Sequence, residues 1–202
     1  MNNIRLAIRS LNDCIEFPIY PIMPEKTQMI KGHITFPPKG RDHDLIYVKG
    51  QMAKLIGIGI KEITIHTLGL NLTKLVEIAD FAKNQGIILN IENRRGGRTS
   101  RIKDLTKILW ATGADLTLDI GHCRSNNTLD SYLKEFNGII HNIHLYSIED
   151  STGHIPIKNY REFKNIADKL VKLEKCNWWV LEANNVKEII KWYTKFLDDL
   201  TN

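Results

Sequence analysis

Five short apolar runs in this chain each end on a residue able to bind a metal ion. They are Glu62-Ile63-Thr64-Ile65-His66, Ile87-Ile88-Leu89-Asn90-Ile91-Glu92, Asp115-Leu116-Thr117-Leu118-Asp119, Ile139-Ile140-His141-Asn142-Ile143-His144 and Trp178-Trp179-Val180-Leu181-Glu182. Carboxylates and imidazoles together suit zinc, manganese, cobalt or iron, and suit calcium less, because calcium prefers all-oxygen sites. Taken singly, each residue has a plainer reading. A strand-end glutamate is more often a cap or an ion-pair residue, and a lone histidine is more often a surface or satisfied core residue. The same placement at five strand ends singles out His66, Glu92, Asp119, His144 and Glu182 as a set.

Other imidazoles lie near these ends. Asp119-Ile120-Gly121-His122 adds a histidine three residues after a strand-end aspartate, and a tight turn at Gly121 is expected to bring His122 back over the same face. His154 follows the loop from Tyr146 to Gly153, either as a further ligand or as an exposed loop residue. His33 and His43 are not expected to be ligands, and His141 should point away from His144 or sit one pleat lower.

After Glu92 comes Asn93-Arg94-Arg95-Gly96-Gly97-Arg98-Thr99-Ser100-Arg101, and Arg124 follows His122 on the neighbouring loop. Glycine backbone, a helix N-terminus and guanidinium forks all favour phosphate. The alternative is a solvated basic loop. On the functional reading Arg94, Arg95, Arg98, Arg124 and His122 hold a substrate carrying phosphate, on a sugar or in a nucleic-acid backbone.

The elements that must position these residues follow a simple rhythm from residue 60 onward. Between the apolar runs, Leu72, Leu75, Val76, Ala79 and Ala82 fall on one helical face. So do Ile102, Leu105, Ile108 and Leu109, then Phe163, Ile166, Ala167 and Leu170, then Val186, Ile189, Ile190, Tyr193 and Leu197. Gly86, Gly113 and Gly138 each sit where a helix should stop. Such alternation implies a parallel sheet with right-handed crossovers. In a barrel the strand C-termini open onto one face, so the five terminal residues would converge.

Toward the N-terminus the pattern thins. His33-Ile34-Thr35-Phe36 reads as a strand stopped by Pro37-Pro38, and Asp44 to Ile58 reads as its helix. Ile4 to Ile8 and Cys14 to Ile19 both read as strands, but the gap between them is too short for a helical crossover, and residues 20–31, with Pro21 and Pro24, offer at most one helical turn. The expected fold is therefore α/β, a TIM-type (β/α) barrel spanning 1–202 as a single domain, shortened or irregular at the N-terminus with its first helices reduced.

Bulk properties exclude several classes. The 202 residues suffice for one core, and 43% hydrophobic with 25% charged residues is ordinary for a globular protein. No apolar run approaches the ~20 residues of a membrane helix. The start, Met1-Asn2-Asn3-Ile4-Arg5, lacks signal-peptide character, and the expected location by default is the cytoplasm. Cys14, Cys123 and Cys176 are scattered and form neither a disulfide framework nor a cysteine zinc site. A net charge of +5 is too mild to name a partner. Trp110, Trp178, Trp179 and Trp192 are expected in packing roles, with one of the adjacent pair turned into the barrel.

In order and spacing, Ile91-Glu92-Asn93, Leu118-Asp119-Ile120-Gly121-His122, Ile143-His144-Leu145 and Leu181-Glu182 resemble the xylose-isomerase-like barrels. That superfamily includes sugar-phosphate isomerases and epimerases and the endonuclease IV-type abasic-site endonucleases. The resemblance runs from about His33 to the C-terminus. Ile65-His66 is similar to the fourth-strand histidine of the endonuclease branch, and Gly153-His154-Ile155-Pro156 resembles the loop histidine after the seventh strand. For an isomerase or epimerase, the resemblance implies one divalent metal (zinc, manganese or cobalt) on Glu92, Asp119, His144 and Glu182. Glu92 and Glu182 would then also move protons through an enediolate. For the endonuclease branch it implies a zinc cluster shared by His66, Glu92, Asp119, His122, His144, His154 and Glu182, acting on DNA at abasic sites.

The chain departs from the endonuclease pattern at two places. It has Thr35-Phe36-Pro37 where that branch has a third-strand histidine, and Thr152 where it has an aspartate two residues before the loop histidine. Reduced N-terminal elements and a complete four-residue set put the sugar or sugar-phosphate isomerase first and the endonuclease second. A third alternative is a degenerate barrel that binds a ligand or partner and dimerises to cover exposed apolar surface.

Overall fold

Alternating β-branched runs and amphipathic segments build a ring of strands wrapped by helices. The computed structural model describes residues 5–9, 15–20, 31–34, 44–176, 178–182 and 184–201, the first three segments as backbone. Along the chain run β1 (Arg5–Arg9), β2 (Ile15–Tyr20), β3 (Lys31–Ile34), α1 (Leu45–Gly57), β4 (Glu62–Ile65), α2 (Leu72–Asn84) and β5 (Ile88–Glu92). A short 3-10 turn (Arg98–Ser100) leads into α3 (Ile102–Thr112), β6 (Asp115–Asp119), α4 (Ile120–Ser125) and α5 (Leu129–Phe136). Then come β7 (Ile140–Leu145), β8 (Ile148–Asp150), β9 (Gly153–Ile155), α6 (Tyr160–Leu170), β10 (Trp178–Leu181) and α7 (Val186–Thr201). Cys14, His43, the stretch from Thr35 to Pro38 and the Pro21–Pro24 region lie outside the described residues.

Local chemistry sets the boundaries. Asp44, Asn71 and Asn159 each cap a helix by accepting from the backbone N–H three residues on. Gly113 ends α3 in the left-handed region with φ 63°, where a side chain would be strained. Gly138 is different from the expectation. It sits inside a 3-10 turn (Asn137–Ile139) and is not among the glycines of positive φ.

The strands close a ring in the order β1-β10-β7-β6-β5-β4-β3-β2. Pairing is parallel throughout, except that β2 runs antiparallel to both β1 and β3. An antiparallel pair needs no crossover helix, and this accommodates the short connection read from the sequence. Helices α4 and α5 and the β8–β9 hairpin have no counterpart among the segments named from periodicity. Among the described residues no helix is long and apolar enough to cross a membrane.

Outside the ring, Trp179 packs against Phe163 of α6 and Tyr193 of α7, with ring centroids 6.4 and 5.9 Å away. Strand alternation therefore turns Trp178 inward. Trp110 does not pack as expected. It is 88% exposed on α3, whose buried face is filled by Leu105, Ile108 and Leu109.

Polar residues line much of the interior. Thr64 and Thr117 share a hydrogen bond of 2.8 Å across the ring. Lower down, Glu62 accepts from Asn90 Nδ2 at 3.0 Å and meets His141 Nδ1 at 3.0 Å. His141 thus sits at the end of the barrel remote from His144, as its place on the strand implied.

Candidate metal centre

Because β4, β5, β6, β7 and β10 are parallel, their C-terminal ends share one rim. His66, Glu92, Asp119, His144 and Glu182 meet there. His66 Nε2 lies 3.0 Å from Glu92 Oε2. His144 Nδ1 lies 3.3 Å from Glu92 Oε2 and 3.4 Å from Glu182 Oε1. His122 Nδ1 is 3.5 Å from Asp119 Oδ2, and His154 Nδ1 is 3.6 Å from Glu182 Oε2. Asp119 is 1% exposed and His144 0%. His154 stands at the exposed rim.

Two ligand groups emerge, Glu92–Asp119–His122 and Asp119–His144–Glu182, each with one donor atom per residue within 4.8 Å of the others. Asp119 belongs to both. It is also the N-cap of α4, where Oδ1 accepts the backbone N–H of His122 at 2.8 Å. That cap, rather than a tight turn at Gly121, brings His122 back over the face. Gly121 lies in helical conformation, and its lack of a side chain serves another purpose: a Cβ there would fall inside the ring of Tyr146.

Asn93 fixes the second imidazole. Its carbonyl lies 2.9 Å from His122 Nδ1, and a carbonyl only accepts, so Nδ1 carries the proton. In the neutral ring, Nε2 then presents its lone pair. It faces Glu149 Oε2, 3.1 Å away, and two acceptors at that distance need a proton or a cation between them. The Asn93 side chain is buried and clamps β6, accepting from Asp119 N at 2.7 Å and donating to Asp119 O at 3.2 Å.

The electrostatics ask for positive charge. Burial, joined by the neighbouring charges of Glu92 and Glu182, pushes the Asp119 carboxyl well above the usual carboxylate range, against the pull of His144 and the His122 N–H. Among the described residues, Asp119 Oδ2 is buried without a well-formed hydrogen bond, and the Tyr146 hydroxyl lies beside the carboxyl. A poorly satisfied carboxylate oxygen among carboxylates and imidazoles fits a divalent cation. Around His144 the spacings agree, because tetrahedral ligands with bonds of ~2.0–2.1 Å sit roughly 3.3 Å apart; His122, protonated on Nδ1, would bind through Nε2. Residues competent to hold an ion are therefore Glu92, Asp119, His122, His144 and Glu182, flanked by His66 and His154.

The basic residues divide. Arg95 donates to the Glu149 carbonyl at 3.1 Å, and Arg124 pairs with Glu162 at 2.8 Å while reaching Ser147 Oγ at 3.3 Å. Arg98, with Arg94 nearby, lines a groove beside the centre. Partial burial opposes ionisation of Glu162, but donors from Lys158 N, Ser147 and Arg124 outweigh it and hold the carboxyl below its ordinary range.

Three participants escaped the sequence reading: Glu149, Tyr146 and Glu162. Tyr146 is fully buried, stacks on His154 at 4.0 Å and presents its ring edge to His122. A buried tyrosine directly after a strand-end His-Leu pair was visible in sequence, but its glycine partner lies 25 positions earlier.

No family model matches the chain. In sequence it is 30% identical over 175 residues to the uncharacterized protein MJ0008 of Methanocaldococcus jannaschii, covering 86% of this chain and 74% of that one. In structure it is similar to L-ribulose 3-epimerase, with a TM-score of 0.61 and 16% identity over 83% of this chain and 66% of that chain. It is also similar to endonuclease IV from Thermus thermophilus, with a TM-score of 0.56 and 14% identity over 77% of this chain and 68% of that chain. The chain thus spans about two thirds of the length of these solved structures, and the likeness is one of fold.

Proposed function

The chain belongs to the family of the Methanocaldococcus jannaschii protein MJ0008 and has the xylose-isomerase-like barrel fold, and from that premise we propose that it is a divalent-metal enzyme that hydrolyses phosphate esters at a two-ion centre. The sharing of Asp119 between two ligand groups carries this reading. One ion would be held by Glu92, Asp119 and the Nε2 lone pair of His122 with His66 against Glu92, the other by Asp119, His144 and Glu182 with His154 at the rim. Bound there, zinc, manganese or cobalt would supply Lewis acidity, polarising phosphoryl oxygens and lowering the pKa of water.

The chain's own residues do the positioning. The α4 cap fixes Asp119 from one side and Asn93 from the other. Asn93 also holds the tautomer of His122, the kind of outer partner that orients a ligand. The β8–β9 hairpin, tied down through Ser125 and Arg95, places Glu149 beside His122.

One observation favours a second reading, a one-ion sugar or sugar-phosphate isomerase or epimerase. Glu92 and Glu182 both approach the same His144 nitrogen, a pair of buried carboxylates able to move protons across a substrate between them.

Ion counting with activity decides between them. Chain dialysed against zinc or manganese is expected to retain about two ions and to hydrolyse bis(4-nitrophenyl) phosphate or an oligonucleotide with an abasic site. One retained ion, with solvent deuterium entering a ketose and no ester hydrolysis, would overturn the first reading in favour of the second.

A further inference from the structure

We propose that the groove between the β4–α2 loop and the arginine loop is a phosphoryl-binding subsite of the metal centre, with Arg98 as its cation. The groove encloses about 380 Å³ and is lined by Thr67, Asn71, Arg94, Gly96, Gly97 and Arg98, among others. It deepens the phosphoester reading, and rests on it, by locating the anionic part of the substrate.

Partner chemistry separates the arginines of this face. Arg101 is paired with Asp104 at 2.6 Å, Arg124 with Glu162, and Arg95 with the hairpin backbone. Among the described residues Arg98 has no carboxylate partner, and it shares the groove with Arg94. No aspartate or glutamate among them lines this groove. A guanidinium in a concavity without carboxylates makes a local positive potential, and its fork geometry matches phosphate oxygens.

The cradle is held in place before any ligand arrives. Asn126 Nδ2 donates to the Arg95 carbonyl at 2.8 Å, Ser100 Oγ to the Gly97 carbonyl at 2.8 Å, and Tyr132 Oη to the Thr99 carbonyl at 3.0 Å. Fixing the loop in advance lowers the ordering cost of binding. Gly97 has φ 83°, which disfavours any side chain there, and a Cβ at Gly96 or Gly97 would meet nothing within 4 Å. These glycines are therefore not demanded by packing, and they leave the backbone open to a ligand. Asn71, the N-cap of the 13-residue helix α2, adds the positive end of a helix dipole to Arg98.

Position completes the case. Thr67 directly follows His66, and Arg94 lies two residues beyond Glu92. A phosphoryl group in the groove would thus belong to the same substrate as the atoms at the centre. It would be either the terminal monoester of a sugar phosphate or a diester flanking the one attacked.

Calorimetric titration of the full chain tests this, with and without chelator so that phosphate held by bound metal is separated out. The probes are inorganic phosphate, ribose 5-phosphate and a tetrathymidylate. Chelator-treated wild type is expected to bind at least one of them, with affinity that falls as salt rises. Arg98→Ala should weaken binding by about tenfold, Arg98→Lys by less, and Arg101→Ala, an equal charge change on the same loop, not at all. Preference for ribose 5-phosphate identifies a monoester, and preference for the oligonucleotide a diester. No binding, or equal losses in Arg98→Ala and Arg101→Ala with unchanged melting temperatures, would overturn the subsite. Binding that depends on Arg98 without any ester hydrolysis by the metal-loaded chain would leave the subsite standing and sink the hydrolase reading instead.

Discussion

The ring of Tyr146 occupies the space that a side chain on Gly121 would fill. Gly121 is not among the positive-φ glycines, so the glycine answers to a contact and not to the backbone. The contact holds a fully buried ring between His122 and His154. Gly121→Ala is expected to destabilise the chain by about 1–3 kcal/mol, the usual cost of overpacking. Tyr146→Ala in the same chain should recover part of that loss, so the double mutant falls short of the sum. Thermal denaturation of the four proteins of the cycle reads the coupling, and simple additivity would refute the contact.

Tyr146 Oη is buried without a well-formed hydrogen bond among the described residues. Burial, with Asp119 beside it, pushes the phenol well above its ordinary range, so the ring stays neutral. Tyr146→Phe should therefore leave stability within about 1 kcal/mol of wild type, because the cost of burying the hydroxyl and its contact with Asp119 offset one another. A loss above about 1 kcal/mol in urea denaturation would count against this.

Asp119 links stability to metal. Its folded-state pKa is raised, so its contribution is present at low pH and is lost as pH rises through the raised value. Metal-free chain should accordingly lose stability from this group on approaching neutrality. Asp119→Asn removes the buried charge yet keeps an oxygen able to cap α4. The variant is expected to be as stable as wild type or more stable without metal, with a flatter pH profile. Wild type with zinc at a hundredfold excess over its dissociation constant should gain about 2.7 kcal/mol, and Asp119→Asn little of it. Melting temperatures with and without chelator check both halves.

Glu162 has the opposite sign. Its carboxyl is held below the ordinary range, so its contribution is present above the unfolded value, 4.5, and is lost as pH falls through the lower folded value. It ties Lys158 N, Ser147 and Arg124 together, joining the segment after β7 to α4. Glu162→Gln should cost about 1–2 kcal/mol at neutral pH and flatten the acid limb of a urea-midpoint profile. An acid limb as steep as that of wild type would show that Glu162 does not carry it.

The strand ends were legible because a short apolar run that stops on a metal-competent residue is a local signal, and parallel pairing puts all such ends on one rim. The helical faces of α2, α3, α6 and α7 were legible for the same reason. What escaped depends on distant partners. The roles of Arg95 and Arg124 are decided by Glu149 and Glu162, which lie 54 and 38 residues away. Helix α4 starts directly from β6, because Asp119 ends the strand and caps the helix, so no loop signal separates the two. The reversal of β2 was foreshadowed only by a connection too short for a helix. Exposure of Trp110 is likewise a matter of which face of α3 meets the sheet.

Asn93 is the hinge of the centre, and it offers the sharpest test of its outer structure. It is buried at the end of β5, and its amide makes two hydrogen bonds to the backbone of Asp119 and a weaker one to Cys123 Sγ at 3.4 Å. Removing the amide leaves the Asp119 N–H without its partner and loosens the start of α4. Asn93→Ala is expected to cost about 2–3 kcal/mol, from an unsatisfied buried donor together with a small cavity. Its carbonyl still accepts from His122, so the imidazole tautomer survives while the carboxylate it cooperates with shifts. Metal affinity should therefore fall by about 10–100-fold, the usual cost of losing an outer partner of a ligand. Equilibrium dialysis with zinc, performed below the variant's melting temperature, measures this directly. Wild-type affinity in a destabilised Asn93→Ala chain would mean that Asn93 supports the barrel alone and does not position Asp119.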